Sequence, residues 1–178
     1  MSRQTEIISL ISWREGSRLR SVKSRQARID TGTPNLFMTE NGFWTSLRKK
    51  LHPRIYALKN QAGYVGGIPD VWLSGSRGDL WMENKYLQKV PPVVDPRKLL
   101  SELQQVWLRR RHAEGRSVGV LIGSVDGHLF YPSCSWDSDT PLKRTDFQAR
   151  LTKTPVIAEQ LIEIVGEIDP SLWAGIVK

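Results

Sequence analysis

The sequence predicts an α/β fold built on a mixed β-sheet, and three observations carry that prediction. Segments of helical period alternate with short runs of β-formers from Thr39 onward. "IPDVWLSGSRGDLWMENKY" (68–86) holds two such runs joined by a Gly/Ser/Arg/Asp turn, which pair naturally as antiparallel neighbours. "SVGVLIGS" (117–124) is almost wholly apolar, as a strand covered on both faces requires. Elements interleaved in this way bury their apolar faces by layering helices on a sheet.

Each element follows from local pattern. Thr39 is an N-cap residue, and Phe43, Leu47 and Leu51 follow at i, i+4 and i+8, so a helix is expected until Pro53 stops it. "RIYALKN" (54–60) reads as a strand, followed by strands at about 68–73 and 79–86. Pro91, Pro92 and Pro96 mark "VPPVVDP" as a loop. A helix over about 97–114 sets Leu100, Leu103 and Trp107 on one face and ends at Gly115. "GHLFY" (127–131) pairs beside the apolar strand. Thr154 and Pro155 then cap a last amphipathic helix reaching about Val165. The order is helix, three strands, helix, two strands, helix.

The N-terminal segment differs in kind. Residues 14–36 are basic and polar, with little to bury, and read as an arm that orders on a partner. The expected division is a basic N-terminal arm or extension at 1–36 and a folded domain at 37–178. Residues 1–60 carry 12 Lys or Arg against 4 Asp or Glu, whereas residues 61–178 carry 14 against 14. The whole net charge of +8 therefore sits in the first third. Such an excess points to a polyanion, because each cation that neutralises a phosphate releases a counterion. The plain alternative is a solvated basic tail.

Other classes are disfavoured. No apolar run approaches the roughly 18 residues of a membrane span, and the N-terminus makes a poor signal peptide. A lone Cys134 excludes an intramolecular disulfide framework, and His52, His112 and His128 lack metal-ligand spacing. An intracellular location is the expectation.

Chemistry concentrates in the strand pair. Alternation places Leu80, Met82 and Asn84 on one face of "LWMENKY", with Trp81, Glu83 and Lys85 on the other. Antiparallel pairing brings Asp70 near Glu83, and two adjacent carboxylates call for a hard divalent cation. Lys85 on the same face suits stabilisation of charge developing on a phosphate, or orientation of an attacking water. An E-x-K pair on an exposed strand is also an ordinary ion pair of small worth. Two further residues weigh against that reading. Glu40 aligns with the apolar stripe of the first helix, although a first-turn Glu is also favoured by the helix dipole. Gln104 lies at the edge of the buried face of the second long helix, where an amide can hold a water or phosphate, or be a plain boundary residue.

"GIPD" (67–70), "ENK" (83–85) and "LSELQQVWL" (100–108) together resemble the PD-(D/E)XK nuclease superfamily, within it the VRR-NUC and Holliday-junction-resolvase-like group. The resemblance covers about residues 39–131, and Ile68 departs from the basic residue that the VRR-NUC pattern favours before Pro-Asp. It implies a restriction-endonuclease-like core in α-β-β-β-α-β order and a Mg²⁺- or Mn²⁺-dependent DNA endonuclease, structure-selective for junctions or flaps, working as a homodimer. Carried over by position, Asp70, Glu83, the Asn84 backbone carbonyl and Glu40 would be metal ligands. Lys85 would be the catalytic lysine and Gln104 the helix glutamine. Arg18, Arg20, Lys23, Arg25 and Arg28 of the arm, with Arg48, Lys49 and Lys50 of the first helix, would hold DNA phosphates. Two other readings stay open: a sequence-specific homing or restriction-type endonuclease, and a non-catalytic DNA-binding module on the same fold.

Overall fold

The computed structural model describes residues 39–60, 66–169 and 171. The arm expected at 1–36, with its five candidate DNA-binding cations, lies outside the described residues.

Helix α1 spans Glu40–Leu51 and begins where Thr39 accepts a hydrogen bond from the Gly42 backbone N–H at 3.2 Å. It buries Phe43, Trp44, Leu47 and Leu51, and ends in Arg48, Lys49 and Lys50, a placement the helix dipole favours. Strands β1 (Tyr56–Lys59), β2 (Val71–Gly75) and β3 (Gly78–Leu87) follow. After them come β4 (Val93–Val94), α2 (Pro96–Leu99), α3 (Glu102–Ala113), β5 (Val118–Ser124) and β6 (Gly127–Pro132). The chain continues through α4 (Ser135–Ser138), β7 (Leu142–Lys143), α5 (Arg144–Ala149) and α6 (Thr154–Val165).

The main sheet has the order β1-β2-β3-β5-β6. β3 and β5 run parallel, joined through α2 and α3, while the other neighbours are antiparallel. The fold is thus a mixed five-stranded sheet flanked by helices, with the α-β-β-β-α-β order expected of a restriction-endonuclease-like core. α1 and α6 cover one face, packing Phe43, Leu47, Leu161 and Ile157 on Leu80 and Met82. The opposite face of β5 and β6 carries a second core around Leu108, Val120, Ile122, Trp136 and Phe147. Every residue of β5 is buried, as its apolar run requires. Gly123 is needed there, since a Cβ would lie 2.8 Å from the Phe43 ring.

Four local expectations are corrected. The helix expected over 97–114 is two helices, because Asp95 caps α2 and Ser101 caps α3 through a reciprocal capping box with Gln104. That break rotates Leu103 outward, to 61% exposure, and Leu108 takes the buried position instead. "VPPVVDP" is not wholly loop, since Val93 and Val94 pair with Lys143 and Leu142. Finally, Thr154 is the first residue of α6 with Lys153 at its N-cap, and its hydroxyl meets His128 Nε2 at 2.7 Å. Among the described residues, no helix is long and apolar enough to cross a membrane.

Candidate active site

The β2–β3 hairpin opens where the candidate residues lie. Its ladder stops at Val71↔Met82. The Trp81 N–H donates to Ser117 O, on the β5 side, so the backbone groups of even-numbered residues in β3 face β2. The Asn84 carbonyl therefore points toward β2 beyond the end of the ladder. The position opposite it in a continued register is Pro69, which has no N–H to give. The chain reaches this point through Gly67, whose φ of +91° and approach to the Leu103 backbone leave no room for a side chain.

Glu83 is the buried centre of the group, with 1% of its side chain exposed. Its Oε1 accepts from Lys85 Nζ at 2.8 Å and from Gln104 Nε2 at 2.5 Å. Its Oε2 accepts from the Asp70 backbone N–H at 3.2 Å. Gln104 Oε1 lies 3.4 Å from Lys85 Nζ and also accepts from the Ser101 backbone N–H. β2, β3 and α3 thus bring Asp70, Glu83, Lys85 and Gln104 together, on the sheet face opposite Leu80 and Met82.

The electrostatics are those of a site short of positive charge. Burial pushes the Glu83 carboxyl up to about 7, and the charge of Asp70 adds to this against the opposing pull of Lys85. Asp70 is also raised, first by burial and then by the charge of Glu40, with Lys85 again opposing. Lys85 acts on both carboxylates, and Lys59 adds a smaller pull on Asp70 alone. Both carboxylates are left less acidic than usual.

Glu40 takes the dipole-favoured alternative and does not turn inward. Its side chain is 48% exposed, and Lys59 Nζ binds its carboxylate at 3.2 Å. Among the described residues, no three His, Cys, Asp or Glu side chains form a group that could hold a metal, although the charge of Glu40 reaches Asp70. Arg48, Lys49 and Lys50 are all exposed on the last turn of α1.

Sequence reasoning overlooked an aromatic row beside this group. Trp72 and Trp81 face each other across β2 and β3 with ring centroids 6.0 Å apart, and Trp107 of α3 meets Trp81 at 5.6 Å. Strand alternation was a signal for the first pair, since each Trp lies two residues from a site carboxylate. The Ser-x-x-Gln spacing of Ser101 and Gln104 likewise announces the capping box that fixes Gln104.

No protein-family model matches the chain, and no curated protein matches it. Among solved structures, the chain is similar to Hjc, a Holliday junction resolvase of Archaeoglobus fulgidus. The similarity has 14% identity and a TM-score of 0.44, over 68% of this chain and 96% of that one.

Proposed function

We propose that the chain is a DNA endonuclease dependent on Mg²⁺ or Mn²⁺ and selective for branched substrates. One observation carries this reading: where the β2–β3 ladder ends, the buried Glu83 carboxylate meets the Asp70 backbone N–H at 3.2 Å and Lys85 Nζ at 2.8 Å, with Gln104 on the same oxygen as the lysine. A second positive charge would relieve both carboxylates.

The donors present fit a hard divalent ion. Asp70, Glu83 and the Asn84 carbonyl offer only oxygen, and Mg²⁺ commonly takes one or two carboxylates while keeping several waters. When bound, such an ion supplies Lewis-acid polarisation of a phosphate and lowers the pKa of its water.

The remaining work falls to the chain itself. Gln104 and the Asp70 N–H fix the orientation of the Glu83 carboxylate from both oxygens. Lys85, with a quarter of its side chain exposed, keeps a positive charge at the mouth of the site where a phosphate's non-bridging oxygens would lie. Glu40 acts through its charge on Asp70, and its own carboxylate stays with Lys59. Arg48, Lys49 and Lys50, together with the arm cations Arg18, Arg20, Lys23, Arg25 and Arg28, would position the DNA backbone without reading sequence. Two copies of the chain would serve the two strands of a duplex.

A cleavage panel of linear, flap, junction and supercoiled DNA, with Mg²⁺ or with EDTA, tests the proposal. Wild type cuts with Mg²⁺ and stops in EDTA, preferring the branched substrates. Asp70→Asn binds the same DNA but does not cut it. Equal cleavage by wild type and Asp70→Asn would sink the reading.

A further inference from the structure

Three elements repeat one arrangement. Asp70, just before β2, is followed two residues later by Trp72; on β3, Glu83 is preceded two residues earlier by Trp81; on α3, Gln104 is followed about one turn later by Trp107. Two strand residues span about 7 Å. The aromatic row therefore runs alongside the carboxylates on the same sheet face, one pleat away. Tyr56 of β1 extends it, 5.4 Å from Trp72.

The row ends in an open hollow of about 630 Å³, lined by Trp81, Trp107, Ile68, Asp79, Arg111 and Arg116. Neither tryptophan is fully buried there. The Arg111 guanidinium lies 5.5 Å from the Trp107 ring centroid while one of its nitrogens holds Glu114 at 2.6 Å. Arg116 is exposed.

We infer that this hollow receives an unpaired nucleobase of the DNA strand whose phosphodiester lies at Asp70 and Glu83. The chemistry points to that occupant in three ways. Flat indole rings stack with bases of any sequence, since every base offers a π-face. Two arginines at the same hollow suit the phosphates that travel with a base and would be wasted on a purely apolar ligand. The hollow lies beside the carboxylate pair, since Ile68 and Trp81 of its lining stand two residues from Asp70 and Glu83, so a strand crossing the site brings its neighbouring base to it. A base inside an intact duplex is stacked on both sides and cannot enter. The inference rests on the nuclease reading and sharpens it: the substrate has unpaired nucleotides next to the cut.

Binding measured in EDTA separates the two. Fluorescence anisotropy would compare a blunt duplex with the same duplex bearing a single-stranded flap, for wild type, Trp107→Leu and Trp107→Phe. A 2-aminopurine placed at the first unpaired position reports stacking directly. Wild type binds the flap DNA more tightly and quenches the probe. Trp107→Leu weakens flap binding about tenfold, as expected for loss of one base–aromatic stack, and abolishes the quench. Duplex affinity changes less than about twofold, and Trp107→Phe restores flap binding, as a retained stacking face should. Equal losses for flap and duplex, or a quench that survives Trp107→Leu, overturn the inference. Circular dichroism identifies a misfolded variant, in which case Arg116→Gln gives the same comparison from the rim. A protein that passes these tests yet never cleaves keeps the base site and loses the nuclease reading; one that cuts blunt duplex with no dependence on Trp107 does the reverse.

Discussion

Gln104 joins the first turn of α3 to Glu83. Its side-chain oxygen accepts from the Ser101 N–H at 2.9 Å while its amide nitrogen donates to Glu83 Oε1 at 2.5 Å. A helix cap and a buried carboxylate thus share one amide. Gln104→Glu keeps the cap, because Glu serves equally well at this capping-box position. It also removes the donor and adds a carboxylate beside Glu83. The expected result is retained helicity with a loss of about 2 kcal/mol at pH 8 and less at pH 5. Chemical denaturation at the two pH values measures it.

Glu83 sets a pH dependence of definite sign. Its folded value of about 7 exceeds its ordinary 4.5, so the folded state holds the proton more tightly than the unfolded state. Its contribution to stability is present at low pH and is lost as pH rises from about 4.5 to about 7. His128, pushed down by burial, acts in the opposite sense near the top of this window. The contrast with Glu83→Gln isolates the carboxylate. In EDTA, the variant gains stability relative to wild type between pH 5 and 8, as read by urea denaturation.

Gly67→Ala tests the close approach of the hairpin to α3. A Cβ there would stand 2.7 Å from the Leu103 carbonyl oxygen, at a φ of +91°. The expected cost is about 1–3 kcal/mol, seen as a lower melting temperature. Under the proposed nuclease function, metal-dependent cleavage falls with it, because Asp70 lies three residues on.

Arg48, Lys49 and Lys50 are the exposed candidate DNA contacts of α1. Replacing all three with Ala weakens DNA binding and flattens its dependence on salt. Each lost phosphate contact removes about 0.9 from the slope of log affinity against log salt. Anisotropy titrations at several salt concentrations give that slope directly.

The parts of the fold with one dominant local signal were readable in advance. α1 and α6 have apolar stripes, β5 is apolar throughout, and the β2–β3 turn joins two clear strands. The α2–α3 break was not readable from periodicity, because Asp95 and Ser101 each offer the backbone a capping bond that outcompetes helix continuation. α4 and α5 escaped for another reason: each is short and held by a single buried aromatic, Trp136 or Phe147. Around the candidate site, strand alternation placed Glu83 and Lys85 on one face, and helical spacing placed Gln104 at an edge. The position of Glu40 was not settled by its helix, since its partner Lys59 belongs to β1 and is brought over only by the tertiary fold.

Pro69 has a consequence that reaches beyond its turn. Had the chain an N–H at that position, β2 could zip onward past Met82, and the Asn84 carbonyl would be spent on one more rung of the sheet. An imino acid acts here as a stop on a zipper, and the ladder ends at Val71↔Met82. Pro69→Ala should therefore make a firmer sheet and a poorer binder of Mn²⁺. The open end of the hairpin owes its existence to a hydrogen bond that the sequence withholds.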